Sequence, residues 1–509
     1  MQAQKASPQA LEARQKLIDT LTEHLNANTW NWGHPHDPRR HPLRIEPFGS
    51  VRFGLATSSS DLDLCLFDPH RPRGFEEKTF RTNSKGEGLP EIYDMRRLGQ
   101  RLMRLGLAKV QPIPFSNVPI CKFEATVDGE LIQADLNTNE RFGVINSRLL
   151  NAYCELHRLV RPLAVFVKFW AKQRGLNDPS GSEGQTSFSS YTLILLLIAF
   201  LQTRGILPNL QSEELTTAMR CQPTRFFSTP KRGLGRNRSK ARITPSVGWD
   251  TTFVEHLEDH PDVWRGAEVD GDLPLRNLAK GFFEWFVGDE DGSEPGLDMN
   301  HFVVSIRSGG LLPRRTEFPP AEARASRLNG NGLGNGHRPQ LPEGAVSAED
   351  ELRQSVEDMA IAAFAQQPAE PASAPTPPPS RPQDSRSSSP IAFGEFLAEP
   401  ANWAARPLVV QDPFLQERNC AGNIIPDVVD TLLLEMRRAL GLIDENASLT
   451  EICKSVALEP GFQGNLNGWR KQQLNSEREK ARRALARLQG SARGAQEAPL
   501  FTEGSTGRD

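Results

Sequence analysis

Residues 48–67 read FGSVRFGLATSSSDLDLCLF, an apolar residue followed by Gly-Ser, a polar loop, and then two aspartates one residue apart inside an apolar run. In an extended strand residues i and i+2 point to the same side, so Asp61 and Asp63 project together. Aspartate resists burial unless its charge is compensated. Two carboxylates so close repel, and one is driven toward protonation unless a cation neutralises them. A divalent metal is the economical solution. Mg²⁺ is usually held by a few carboxylates, with substrate phosphates and water completing its shell. The same pair, read alone, also fits an edge strand whose aspartates face water.

The residues before the pair supply a second element of chemistry. Gly49 lets a phosphate approach the backbone, a helix opening there would aim N–H groups at an anion, and Ser50 adds a hydroxyl donor. A third carboxylate, Asp135, lies in LIQADLN, a segment of strand character. If that strand neighbours the one carrying Asp61 and Asp63, three carboxylates converge, enough for a two-metal site. By itself Asp135 fits a hydrogen-bonded structural aspartate equally well.

Outward from this stretch, residues near 8–27 show helical periodicity, with Leu11, Leu17, Ile18, Leu21 and Leu25 on one broad face. RIEPF reads as a short strand and DLDLCLF alternates as a strand does. EIYDMRRLGQRLMRLGL reads as helical. PICKFEATVD and LIQADLN read as strands joined by a hairpin turn at Asp128-Gly129. From about 143 to 306 the pattern is mostly helical. The longest apolar run, LILLLIAFL at Leu193–Leu201, is far short of the roughly 20 residues of a membrane-spanning helix and reads as a core helix.

Residues 311–398 are rich in Gly, Pro and Ser, including NGNGLGNGHRP and PAEPASAPTPPPSRPQDSRSSSP. Such composition buries too little apolar area to order itself, so a disordered insertion is expected. Organised sequence resumes at ARPLVVQDPF.

At 509 residues the chain has room for two or three domains, and a net charge of −3 with a pI near 6.4 demands no polyanionic partner globally. Six dispersed cysteines without a CxxC pair argue for a reducing compartment and against structural zinc. No apolar signal core opens the chain, so a soluble intracellular protein is expected.

FGSVRFGLATSSSDLDLCLF resembles the signature of the DNA polymerase β-like nucleotidyltransferase superfamily. It is most similar to the template-independent RNA nucleotidyltransferases, the cytoplasmic poly(A) polymerases and terminal uridylyltransferases of the caffeine-induced-death-suppressor type. DLNTNERFGVINSRLLNAY, PLAVFVKFWAKQRG and SFSSYTLILLLIAFLQ resemble that family's central blocks in order. LAKGFFEWF with HFVVSIRSGG resembles the poly(A)-polymerase-associated region, and VVQDPFLQERNCAGNI resembles the motif that closes it. Together they cover roughly residues 10–310 and 400–440.

The resemblance implies an α+β fold: a small mixed-sheet nucleotidyltransferase palm plus a mostly helical poly(A)-polymerase-associated domain, with a disordered insertion. The expected divisions are 1–42, an N-terminal helix and loop packing on the helical domain; 43–142, the catalytic palm; 143–310, the helical central domain; 311–398, the insertion; 399–445, the return of the associated domain; and 446–509, a C-terminal helical extension and tail.

By the same likeness Asp61, Asp63 and Asp135 would be the catalytic metal ligands, for Mg²⁺ with Mn²⁺ as an alternative ion, and Asp135 the base toward the RNA 3′-hydroxyl. Gly49 and Ser50 would hold the triphosphate, and Asn146 and Ser147 would meet the nucleotide sugar and, in part, the base. Lys168 and Lys172, four apart on one helix face, would stabilise the leaving pyrophosphate. Ser190 and Tyr191 would contact phosphate and stack on the base, and Asp412 would sit near the base edge. Uridylyl-selective members carry a histidine where this chain has Arg418, before Asn419. That departure favours ATP over UTP, although an arginine there could instead turn to phosphate or a carboxylate.

The implied reaction is template-independent addition of nucleotides to an RNA 3′ end with release of pyrophosphate. A terminal uridylyltransferase and a catalytically inactive RNA-binding scaffold are the alternatives. The basic stretch Thr224–Arg242, with Arg232, Arg236, Arg238 and Lys240, would track RNA or carry a nuclear-entry signal. Arg478, Arg482 and Arg483 read as part of a solvated helix with RNA contact as the alternative, and His34, His36 and His41 as a plain loop. The expected partners are an RNA 3′ end, ATP or UTP, and an RNA-binding protein, but no membrane. A monomeric catalytic unit in the cytoplasm, with access to the nucleus, completes the expectation.

Overall fold

A computed structural model describes residues 6–27, 42–57, 60–75, 91–116, 118–182, 184–228, 248–266, 274–288, 295–314 and 400–496. The stretch 315–399, which holds almost all of the expected insertion, lies outside them, as do Arg232, Arg236, Arg238, Lys240 and His34, His36 and His41.

The apolar alternation around the two aspartates builds a mixed five-stranded sheet. Its strands are β1 (Arg44–Phe48), β2 (Leu62–Phe67), β3 (Ala108–Ile113), β4 (Ile120–Val127) and β5 (Glu130–Thr138), in the order β1-β2-β5-β4-β3. Every pair is antiparallel except β2 with β5. The β4–β5 hairpin turns at Asp128 (φ 51°) and Gly129 (φ 81°), two left-handed residues that suit the twist of adjoining strands. β3 was not anticipated. Its sequence AKVQPI carries a proline and no clean alternation, and proline is tolerated there because β3 is the sheet's edge.

On β2 the even residues Leu62, Leu64 and Leu66 are fully buried in a cluster with Leu17 and Leu21 of helix α1 (Pro8–Ala27) and Leu98 and Leu102 of α2 (Met95–Arg104). Each such leucine contributes roughly 1.5–3 kcal/mol by burial. The N-terminal helix therefore packs on the sheet, not on the helical domain as expected. Its apolar face is broad enough to cover the hairpin, and Lys16 reaches Asp128 at the hairpin turn, 2.7 Å away. The odd residues Cys65 and Phe67 face the other way, against Phe48 and Val144.

The second body is largely helical: α3 (Phe142–Leu156), α4 (Val160–Gln173), α5 (Ser190–Thr203), α6 (Glu213–Ala218) and α7 (Pro274–Val287), followed after residue 400 by α8 (Pro426–Asp444), α9 (Leu449–Ile452) and α10 (Leu466–Gln496). LILLLIAFL is buried throughout inside α5, as its composition implies. Short strands β6 (Arg225–Phe227) and β7 (Gly248–Asp250) pair with each other, as do β8 (Phe302–Ser305) and β9 (Gly310–Pro313).

Backbone pairing and a buried ion pair help to bring the later segment back. Val304 donates to Val409 O at 2.9 Å, and Gln411 donates to Val304 O at 2.8 Å. Arg174, just past α4, is 1% exposed and makes a two-pronged pair with Glu435 of α8 at 2.7 and 2.9 Å, while its Nη1 reaches Glu459 at 2.7 Å. Removing one partner of such a buried pair would strand the other charge, at a cost of about 3–5 kcal/mol. Among the described residues no helix is long and apolar enough to cross a membrane, and all six cysteines are free.

Candidate active site

The ladder does for Asp63 and Asp135 what the sequence could only suppose. β2 and β5 run parallel, and Asp63 is the direct partner of Asp135. Phe48, the residue before Gly49, is the partner of Asp63 on its other side. Asp61 comes one residue before β2 and so is outside the ladder.

The carboxylates of Asp61 and Asp63 accept no hydrogen bond from the described residues. Burial, together with the like charge of Asp135, raises the Asp61 carboxyl above its ordinary value. Burial and the charges of Asp135 and Asp61 hold Asp63 well above the usual carboxylate range. Asp135 differs, because Lys122 of β4 lies opposite it and donates to its Oδ2 at 2.5 Å. Lys122 was missed in the sequence, yet it was legible there: residues 122 and 135 are equidistant from the Asp128-Gly129 turn, which makes them cross-strand partners.

Gly49 adopts φ 69°, and a Cβ there would collide with Asp63 Oδ2. Its glycine is required by both conformation and close approach. The expected helix opening is absent: residues Gly49–Val51 form a single 3₁₀ turn. The Gly49 N–H is already given to Ser147 Oγ at 2.8 Å, and Ser147 in turn donates to Gly143 O. Ser147 thus clamps the turn to α3. The Ser50 hydroxyl makes no hydrogen bond with the described residues, and Asn146 Oδ1 is enclosed without a partner.

Lys168 and Lys172 share a face of α4, and their charges reach Asp63 and Asp61 respectively. Lys168 Nζ donates to Leu55 O at 3.4 Å. Burial and the neighbouring Lys172 push its ammonium below the usual lysine range, against the pull of Asp63.

A second group forms around α5 and the loop 412–418. Asp412 is fully buried. Its Oδ1 accepts from the N–H groups of Phe414 and Leu415 at 3.0 and 2.9 Å, and its Oδ2 accepts from Tyr191 OH at 3.3 Å. Arg418 lies 3.6 Å from Oδ2. Of the two orientations open to Arg418, the structure has the one toward a carboxylate. Burial and the Asp412 charge raise the Tyr191 phenol well above its ordinary value. Ser190 donates to Asn177 Oδ1 at 3.1 Å, and Asn419 closes the loop through Val410 N and Ala421 N. α4 packs on α5, so the two groups sit on neighbouring helices.

In the C-terminal helix Arg478 pairs with Asp427 and Asp430 and Arg483 with Glu479, so these cations are partnered on an exposed helix. An exposed trio, His256, Glu258 and Asp259, has oxygen and nitrogen atoms within 4.8 Å of one another.

Residues 1–155 match the family described as the central palm domain of mitochondrial-like poly(A) RNA polymerase. The chain is 32% identical over 281 residues to poly(A) RNA polymerase cid13 of Schizosaccharomyces pombe, spanning 54% of this chain and 38% of that one. It is 35% identical over 278 residues to poly(A) RNA polymerase GLD2 of Bos taurus, spanning 53% and 46%. The chain therefore spans less than half the length of these curated relatives. Among solved structures, Cid1 poly(U) polymerase with MgGTP bound shares the fold at a TM-score of 0.51 and 17% identity, over 89% of this chain and 95% of that one. A cytoplasmic RNA terminal U-transferase does so at the same score. Residues 1–155 are thus similar to the central palm of poly(A) RNA polymerases, and the chain shares its fold with Cid1 poly(U) polymerase.

Proposed function

We propose that the protein adds nucleotides, ATP preferred, to RNA 3′ ends without a template. The observation that carries this reading is the pairing of Asp63 with Asp135 in adjacent parallel strands, with Gly49 held against Asp63. Three carboxylates converge where the described residues supply one close cation, Lys122 on Asp135. An all-oxygen set of this kind suits Mg²⁺, or Mn²⁺, held by Asp61, Asp63 and Asp135. When bound, the metal would lower the cost of negative charge on the attacking and leaving oxygens.

The chain's own residues account for the remaining tasks. Asp135 accepts the proton of the RNA 3′-hydroxyl as its oxygen attacks the α-phosphate, and Lys122 keeps that carboxylate oriented. The bond from the α-phosphate to the bridging oxygen breaks, and pyrophosphate leaves toward Lys168 and Lys172. Their positive charge favours the leaving group. Ser50 offers its unengaged hydroxyl to the triphosphate, and Asn146 Oδ1 serves as an acceptor for a sugar hydroxyl. Ser147 positions the turn through Gly49, in place of the direct sugar contact implied by resemblance. Tyr191 and Ser190 lie along the base and phosphate side, with Asp412 and Arg418 behind Tyr191.

ATP is favoured because the curated relatives are named poly(A) RNA polymerases and because Arg418 replaces a histidine. Its charge is answered by Asp412, which leaves base choice to pocket shape, with discrimination of only a few kcal/mol at most. Cytoplasmic action on an RNA 3′ end, with an RNA-binding protein supplying target choice, fits the same reading.

The test is extension of a labelled RNA oligonucleotide with Mg²⁺ and each NTP supplied singly, beside an Asp61→Ala/Asp63→Ala control. A ladder with ATP that disappears in the control is expected. A ladder mainly with UTP would retain the chemistry and reverse the base assignment. Extension by neither metal with any NTP, despite RNA binding, would favour a scaffold.

A further inference from the structure

Asp63 and Asp135 are held by the strand ladder, whereas Asp61 precedes the first ladder residue and depends on its loop. The loop is gripped from outside by Arg14 of α1. Arg14 is 4% exposed, and its Nη2 donates to Thr57 O at 3.2 Å and Ser60 O at 2.7 Å. The two carbonyls belong to the loop's two ends, and Ser60 is the residue immediately before Asp61. The ends are also tied to each other: Ser60 N donates to Thr57 O at 3.1 Å, and Thr57 N to Ser60 Oγ at 2.9 Å.

This is an expensive way to fill space. A buried guanidinium carries a desolvation cost, and Arg14 Nη1 is enclosed with no acceptor. A methionine would pack the same stem without either penalty. What the arginine adds is one donor nitrogen, Nη2, that reaches both loop ends, and a positive charge that reaches the Asp61 carboxylate.

We propose that Arg14 is a positioning residue for Asp61, fixing from the N-terminal helix the one carboxylate of the trio that the sheet leaves unfixed. The inference rests on the reading of the trio as a metal site. It also gives α1 a role beyond covering the sheet.

The test titrates Mn²⁺ into the full-length, nucleotide-free protein and reads bound ion by electron paramagnetic resonance. Wild type is compared with Arg14→Met, Arg14→Lys and Leu17→Ala, the last weakening α1 packing without touching the loop. Arg14→Met is expected to weaken Mn²⁺ binding by about tenfold, within the range for residues that orient metal ligands. Arg14→Lys keeps the charge and a donor nitrogen but on a shorter side chain with less reach to the loop, and should lose less than Arg14→Met. Leu17→Ala should lower Tm and leave Mn²⁺ affinity unchanged. In RNA extension the Mg²⁺ concentration for half-maximal rate should rise in the same order, with the KM for ATP at saturating metal unaltered.

Equal Mn²⁺ affinity in wild type and both Arg14 variants would overturn the inference, as would an equal loss in Leu17→Ala. A wild-type protein that binds no Mn²⁺ would instead overturn the metal-site reading beneath it. Should Arg14→Met not fold, Arg14→Lys carries the comparison alone.

Discussion

Asp412 is fully buried and Asp63 half-buried, and their surroundings differ in kind. Asp412 accepts two backbone N–H groups and the Tyr191 hydroxyl, with Arg418 at 3.6 Å. The Asp63 carboxylate accepts no hydrogen bond from the described residues and faces the like charges of Asp135 and Asp61, offset only in part by Lys122 and Lys168. A buried acid whose partners are all present is complete without a ligand and holds a loop in place. One whose charge is only partly answered costs stability until a further cation arrives. The contrast separates architecture from chemistry better than the identity of the residue does.

The comparison is broken most sharply by neutralising each acid in turn. Asp63→Asn should reduce RNA extension by at least about a thousandfold, since charge stabilisation at the reacting phosphate is commonly the largest catalytic contribution. Single-turnover extension at saturating Mg²⁺ and ATP measures it, and activity within tenfold of wild type would remove Asp63 from the site. Asp412→Ala should act on stability instead. It leaves two N–H groups and the arginine without their acceptor, at a cost of about 2–4 kcal/mol, readable as a lowered urea midpoint. If Asp412→Ala were as stable as wild type, the loop would not depend on that carboxylate.

Arg418→His tests whether the arginine's partner also tunes base choice. A histidine is shorter and ordinarily near neutral, so the UTP-to-ATP rate ratio should rise by about tenfold. An unchanged ratio would place base discrimination elsewhere in the pocket.

The smallest effect is a pH dependence of stability. The Asp63 carboxyl is held above its ordinary value, so between that value and its raised one the folded chain binds more protons than the unfolded chain. Stability in the metal-free protein therefore falls as pH rises through this window. Asp63→Asn should flatten the fall and raise Tm at the upper end by on the order of a degree or two. Thermal melts in chelator across pH 4–8 give the slope, and parallel slopes in the two proteins would show Asp63 to be relaxed without metal.

Much of the palm is legible in the sequence. The strands around Asp63 and Asp135, the hairpin at Asp128-Gly129 and the core helix around Leu193–Leu201 each announce themselves in period or turn chemistry. β3 did not, because an edge strand exposed on much of its length has no strict alternation. Lys122 was legible in the hairpin register and was overlooked. Arg14 was not: in a helix whose apolar face is read by period, one buried arginine is indistinguishable from a solvated one.

What the sequence determined by itself is local: which segments are strand or helix, and which residue types could carry metal and phosphate chemistry. These follow from side-chain period and backbone preference over a few residues. Tertiary structure decided the rest. The parallel pairing of β2 with β5 places Asp135 beside Asp63 across about seventy residues of chain. Packing put α1 on the sheet and Arg14 under the Asp61 loop, and the return of the chain near Val409 set Arg418 against Asp412. Contacts of that range depend on which surfaces bury each other best, a property of the whole chain that no window of sequence contains.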